Sequence, residues 1–470
     1  MDHFPLLFQQ IILSLSANIG TSPTAHSFLT MVMGWSLCTG RHTISGIIRA
    51  AGPYAPKSHD AYQNFFSKSE WSFDDLWEAL FLLLVKLFAV PSDPSDPSSP
   101  PVIYLAGDDT VSKHTGPKIW GAGLFRDAVR SSRRLVAYAW GLNWVVLAMI
   151  IKVPLLNDRY IAVPILPRLN PKTNDDDSQG PEDKAIRRKR KGRGSKDKKT
   201  TVTIMAEMLN TVVGWLPEAK YYFVGDGAYA CLAGSLPQNV MLTSRIRRDA
   251  ALYAPPPKRR KKKGRHGRHP KYGRRLPSPL NMAKTVGNRW KKCQLEIYGR
   301  TKRSLLYSYT AIWREVCPDR LINIVIVRDP TGEAEDEYFF TTDLDMSPEQ
   351  IVLRYSVRWS IEVVFRETRQ YLGRDHPQAR KRTAVLRITP FCFFLNAIVK
   401  LWFILQAQQN SVTTPKTPPW YPHKDTISFQ DMLGALRLHF WKSYIRANST
   451  SQEDIENLID FLGESIARVT

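Results

Sequence analysis

Cysteine is scarce in this 470-residue chain: Cys38, Cys231, Cys293, Cys317 and Cys392 are odd in number and form no Cys-x-x-Cys pair. That argues against a disulfide framework and the common zinc sites, and fits a reducing compartment. The ten histidines include no His-Glu-x-x-His pair, so the metalloprotease helix is absent. Long apolar runs are missing too. The two most lipid-like stretches, Ala79 to Val90 and Pro390 to Leu405, are broken by Lys86 and by Asn396 and Lys400. Neither reaches an uninterrupted span, and no membrane partner is expected. The N-terminus has no basic region followed by a cleavage site, so no signal peptide is expected.

Acid is the minority charge, 43 residues against 66 basic ones, for a formal net charge of +23. Two segments hold most of the excess. Arg187 to Lys199 has nine basic residues against Asp197, and Lys258 to Arg275 has eleven and no acid. Such blocks repel themselves and bury little, so their use is contact with a polyanion. Phosphate neutralisation with counterion release is the expected role of Lys258, Arg259, Arg260, Lys261, Lys262, Lys263, Arg265 and Arg268. The glycines and proline interleaved there are in keeping with a minor-groove arm; a nuclear-localisation reading of KRRKKK is the alternative.

Three acids stand in informative places. Asp109 follows the apolar run Val102 to Ala106, and Asp226 follows Tyr221 to Val224, so each is expected at the tip of a buried strand. Glu362 lies in RYSVRWSIEVVFRETRQYLG, where Tyr355, Arg358, Glu362 and Arg369 fall at i, i+3, i+7 and i+14 on one polar helical face. Ile361, Val364, Phe365 and Leu372 would turn the other face to a core, with Trp359 an additional anchor. Read blandly, this is an amphipathic helix with Glu362 paired to Arg366, and Asp-Gly is often only a turn. Read together, three carboxylates from two strand tips and a helix have the hard oxygen donors that a Mg²⁺ pair takes.

The spacing Tyr355-x2-Arg358-x3-Glu362-x6-Arg369, with Asp109-Thr110 and Asp226-Gly227 before it, resembles the signature of bacterial insertion-sequence transposases with a DDE triad. The resemblance spans roughly residues 30 to 445, and departs where the family's final Lys is Arg369, a planar fork in place of a point charge. It implies an α/β fold: an RNase H-like mixed sheet flanked by helices, interrupted by a β-rich insertion, with helical N-terminal and C-terminal regions. It also implies a transposase that binds terminal repeats of double-stranded DNA, cuts at the element's ends and passes the 3′ ends to target DNA. Two Mg²⁺ ions, replaceable by Mn²⁺, would be held by Asp109, Asp226 and Glu362, with Asp109 bridging. Tyr355, Arg358 and Arg369 would grip phosphates, with Trp313, or else Trp290, as a platform for a flipped base. Adjacent strand residues face opposite ways, so Asp108 competes with Asp109 for the site. Lys113 and His114 are either near it or in a solvated turn. A homodimer on DNA and a cytoplasmic, nucleoid-associated setting follow from the same resemblance. Two other readings stay open: an inactive DNA-binding or regulatory protein on this fold, and a metal-dependent nuclease without strand transfer.

Along the chain, residues 1–90 read as a helical DNA-binding domain, with helices from Thr43 to Ala51 and His59 to Ser67 as a possible helix-turn-helix. Lys57, His59, Gln63, Asn64 and Lys68 would be its polar reach. The Pro/Ser tract 91–101 reads as a linker. Residues 102–246 would form the first part of the core, 247–347 the basic arm and β-rich insertion, and 348–380 the catalytic helix. Residues 381–470 would be helical, from Pro390 to Gln406, Ser428 to Tyr444 and Gln452 to Ala467, with large apolar residues offering a dimer surface.

Overall fold

The computed structural model describes residues 6–448 apart from 17–18, 20, 128–129, 133, 157, 173–198, 258–269, 298–299, 410–423 and 425. The eight basic residues named above from Lys258 to Arg268, nearly all of the Arg187 to Lys199 run and the expected helix at Gln452 to Ala467 lie outside the described residues.

Five helices open the chain: α1 (Leu6–Ser16), α2 (Ser22–Leu37), α3 (Ile44–Ala51), α4 (His59–Ser67) and α5 (Asp74–Phe88). The Thr43 hydroxyl accepts from the Gly46 amide to start α3, and Gly52 at φ +54° ends it, as punctuation of this kind should. These helices are not a detached domain. The Trp35 indole donates to the Leu372 carbonyl across 2.8 Å, and Phe28 packs edge-on against Phe391.

The tract read as a linker is instead a hairpin. β1 (Val90–Asp93) pairs antiparallel with the start of β2 (Asp96–Lys113), Pro91 opposite Pro101. Its Asp-Pro-Ser repeats explain why: Asp93 and Asp96 each accept from the amide and hydroxyl of the Ser two residues on, at 2.9 and 2.6 Å. Such Asx turns fold the chain locally, and prolines are tolerated on an edge strand.

The centre is a five-strand unit in the order β5–β4–β2–β6–β7, made of β4 (Tyr138–Val153), β5 (Arg159–Asn170), β6 (Lys220–Gly225) and β7 (Val240–Arg245) around β2. β4 is antiparallel to β2 and β5, whereas β2, β6 and β7 run parallel. β3 (Gly123–Arg126) borders β4, and α6 (Thr201–Trp215) lies in the crossover from β5 to β6. This mixed sheet flanked by helices is the RNase H-like architecture. The β-rich interval is not a separate body. β12 (Glu337–Thr341) pairs with β7, and β11 (Cys317–Arg328), β10 (Arg300–Trp313), β9 (Lys291–Ile297) and β8 (Leu252–Tyr253) carry the same sheet outward. A short α7 (Pro279–Thr285) precedes β9. The Asp329-to-Gly332 turn joins β11 and β12, with the Gly332 amide on the Asp329 carbonyl at 3.1 Å.

The catalytic-helix segment is two helices, α8 (Pro348–Ser356) and α9 (Trp359–Tyr371), not one. Neither Pro nor Gly breaks it. The Ser356 and Ser360 hydroxyls bond the carbonyls three residues back, at 2.8 and 2.7 Å, and the Arg358, Ser360 and Ile361 amides also close on carbonyls three back. Such bonds compete with the regular ladder and tighten the turn.

α10 (Arg382–Gln408) begins eight residues before the expected start and carries Pro390 inside it. An internal proline costs ~3 kcal/mol; burial along nearly the whole helix offsets it. This is the one described helix long and apolar enough to cross a membrane, yet 94% of its apolar window is buried in the fold. α11 (Phe429–Asn448) packs on it. Phe391, Phe393, Phe394, Leu395, Trp402 and Phe403, with Met432, Leu433, Leu436 and Phe440, are all core. Of the apolar C-terminal residues expected to offer a dimer face, these ten are used within the chain, while Leu405 and Trp441 are only partly buried.

Candidate active site

β2 delivers two neighbouring acids to opposite faces. On one face a Cβ at Gly107 would strike Met205 of α6 and Phe223, so the Leu105–Gly107–Asp109 side looks toward α6. On the other, Tyr104 stacks with Tyr222 and lies 3.7 Å beneath the Arg354 guanidinium of α8. Asp108 shares that second face. Its Oδ2 accepts from Arg358 Nη1 at 2.7 Å, while Arg358 Nη2 donates to Glu362 Oε1, also at 2.7 Å. One guanidinium thus joins the strand acid to the helix acid. Asp109 is exposed, its side chain 3.5 Å from the Tyr229 hydroxyl and bonded by Asn143 of β4. Of the two neighbouring acids it is Asp108 that Arg358 joins to Glu362, where the sequence pointed to Asp109.

Asp226 follows β6. Gly107 pairs with Gly225 in the parallel register, so Asp226, just past the end of β6, comes next to Asp108; β2 itself runs on to Lys113 against β4, so Asp109 lies within the strand and not at its expected tip. One of its oxygens accepts from the Ala228 amide at 2.9 Å, capping a short 3₁₀ turn, as Asp-Gly sequences do. Its carbonyl accepts from the Ser244 hydroxyl of β7 at 2.7 Å, which fixes the strand end. Glu362 enters in the first turn of α9, where the helix dipole favours an anion.

The electrostatics are those of crowded acids. Removal from water raises Asp108 to about 7 against the pull of Arg358, and Asp109 and Asp226 push it the same way. Asp109 is also raised, by desolvation and by Asp226, while Asn143 and Tyr229 oppose. The surrounding protein and the same three aspartates hold the Tyr229 phenol protonated, well above its ordinary range. Burial works against the Arg358 charge, and Asp108, Tyr355 and Glu362 outweigh it. Among the described residues no three acidic, histidine or cysteine side chains are gathered to hold an ion. The expected convergence is thus incomplete, for the reason seen at Arg358: with repelling carboxylates, a guanidinium supplies the counter-charge.

The other expected residues divide. Tyr355 is buried against Phe339, ring centroids 4.7 Å apart, with Arg358 and Arg245 on its ring. Arg369 is exposed on α9 beyond Glu362. Trp313 is no platform, being 5% exposed and edge-on to Phe340 in the sheet. Trp290 is covered by Arg328 at 4.5 Å. Lys113 is in an ion pair with buried Asp127 at 2.7 Å. Sequence reasoning missed Tyr229, Asn143, Arg245 and Arg354. Only Tyr229 carried a signal, lying one turn beyond Asp226. Trp359, named only as an anchor, is half-exposed next to Arg358 in the chain.

The sheet order and flanking helices define the class, an RNase H-like core, with Asp108, Asp226 and Glu362 brought to one side of it. A family model for the DDE superfamily endonucleases matches residues 15–304, and the chain belongs to that family. The model of the archaeal transposase ISC1217 matches residues 309–388, which include Glu362. No curated protein matches the chain.

Proposed function

We propose that the chain is the transposase of an insertion sequence, cutting DNA at the element's ends and joining the freed 3′ ends to a target. The observation that carries this reading is the Asp108–Arg358–Glu362 bridge between β2 and α9, with Asp226 beside it. The donor set, three carboxylates and no soft ligand, fits hard divalent ions, Mg²⁺ with Mn²⁺ as substitute. Bound by Asp108, Asp226 and Glu362, two such ions would activate water or a 3′ hydroxyl and stabilise the leaving oxygen. Arg358 bonds both Asp108 and Glu362 and so holds them in place, and once released from them it offers a planar fork to a DNA phosphate. Trp359 can stack on an unpaired base, and Arg369 extends the phosphate track.

The first test separates the two adjacent acids. Asp108→Asn should lower metal-dependent DNA cleavage on the order of a hundredfold or more, and Asp109→Asn by less than about tenfold. The opposite ranking would return the role to Asp109. Equal, small effects would remove β2 from the site.

The basic segments are read as phosphate contacts. Neutralising Lys258, Arg259, Arg260, Lys261, Lys262 and Lys263 should weaken binding to all DNA sequences alike and flatten the dependence of affinity on salt. A sequence-selective loss with an unchanged salt slope would assign them to base reading. A homodimer on DNA rests on the need to hold two ends at once.

A further inference from the structure

The polar side of α4 is exposed at His59, Asp60, Gln63 and Lys68. It forms one wall of a cavity of about 730 Å³ whose other wall is Pro377 to Lys381 and the first turn of α10. Both walls are fixed. Arg387 of α10 donates to the Ser69 and Trp71 carbonyls beyond α4, at 2.7 and 2.8 Å, and the Trp120 amide holds the Arg380 carbonyl at 3.0 Å. A recognition helix must present a free face to enter a major groove about 12 Å wide. Gln63 and Lys68 are exposed at the rim of this cleft, so the face expected to act as a recognition helix also lines it.

Four cations line the cavity, Arg41, Lys68, Arg380 and Lys381, against one carboxylate, Asp60. α10 is 27 residues long, opens at the cavity rim and has no side-chain cap at its N-terminus, so unfilled amides and a helix dipole add to the attraction for anions. The amides of Gln63 and Asn64 lie among these charges and can bond base edges. The volume is that of a small-ligand pocket, roughly 300–1,000 Å³, room for a few nucleotides of one strand. Resting on the reading of the chain as a DNA-acting enzyme, we propose that this cleft binds a short single-stranded DNA segment, its phosphates on Lys68, Arg380 and the α10 N-terminus and its bases against Gln63 and Asn64. The segment that follows α9 leads directly into one wall, so a strand unpaired by cutting would be held by the element adjoining the catalytic helix.

The test is fluorescence anisotropy of a labelled single-stranded oligodeoxynucleotide and of a duplex of the same length, with chelator present. No cleavage occurs under these conditions, so the outcome is independent of the carboxylate chemistry. Lys68→Ala and Arg380→Ala should each weaken single-strand binding by roughly three- to tenfold and leave duplex binding within about twofold. Asp60→Asn, which removes the only carboxylate among the described residues that line the cleft, should tighten single-strand binding, a gain that misfolding cannot produce. Single-strand affinity unchanged in all three variants, or an equal loss for duplex and single strand, would overturn the proposal. So would competition by a mononucleotide as effective as the oligonucleotide, since that would identify a nucleotide pocket.

Discussion

Glu362→Gln and Asp226→Asn should each reduce metal-dependent DNA cleavage on the order of a thousandfold while leaving DNA affinity within a few-fold. Each substitution keeps size and hydrogen-bonding capacity and removes only a charge. Glu362 stands in the first turn of α9 with Arg358 on its carboxylate, and Asp226 at the end of β6 beside Asp108. Neither is needed to hold the fold: Glu362 is partly exposed, and Asn at position 226 can still cap the Ala228 amide. Cleavage kinetics on end-containing DNA, paired with binding in chelator, measure the two quantities separately. Cleavage within tenfold of the unsubstituted chain for either variant would remove that residue from the site.

The second large effect concerns stability. Lys400 is buried in α10, and its ammonium lies 2.6 Å from Glu367 of α9 and 3.0 Å from the Ala162 carbonyl of β5, while Asn396 donates to the same carboxylate at 3.0 Å. Burial pushes the Lys400 ammonium down, and Glu367 opposes that shift. Lys400→Met would strand Glu367 as an unpaired buried charge, and the expected loss is about 3–5 kcal/mol. Lys400→Met with Glu367→Leu should recover most of it, because removing both charges also removes the desolvation penalty. Denaturant unfolding of the two variants checks this. A single variant as stable as the parent would mean that water reaches the pair. The network also sets how α9 lies on the sheet, five residues from Glu362.

Much of this was legible in the sequence where local chemistry decides structure. The helices at Thr43 to Ala51 and His59 to Ser67 form almost as read, because a threonine cap and a Gly-Pro break mark them. The apolar runs of β2 and β6 before Asp109 and Asp226 were visible, but the end of β2 was not: it continues to Lys113, paired with β4. What failed needed a partner element. Strand alternation says that Asp108 and Asp109 face apart; only the position of α9 says which one meets Glu362. The apolar residues of Phe391 to Phe403 are as suited to a dimer face as to a core, and the choice depends on α1, α4 and β5 covering them. The tract 91–101 was misread from composition, since the repeated Asp-x-Ser bonds that fold it are a matter of spacing. Trp313 pointed inward for a similar reason: β10 is an interior strand of a sheet that continues past β7.

The most direct test of the central claim is a single assay of the unsubstituted chain with DNA carrying the element's ends and a circular target. With Mg²⁺ or Mn²⁺ it should yield nicks or breaks at the element boundary followed by joined products, and with chelator neither. Cleavage without joining would fit the nuclease reading. Binding with no metal-dependent cleavage at all would contradict the account and leave a DNA-binding protein on an RNase H-like fold.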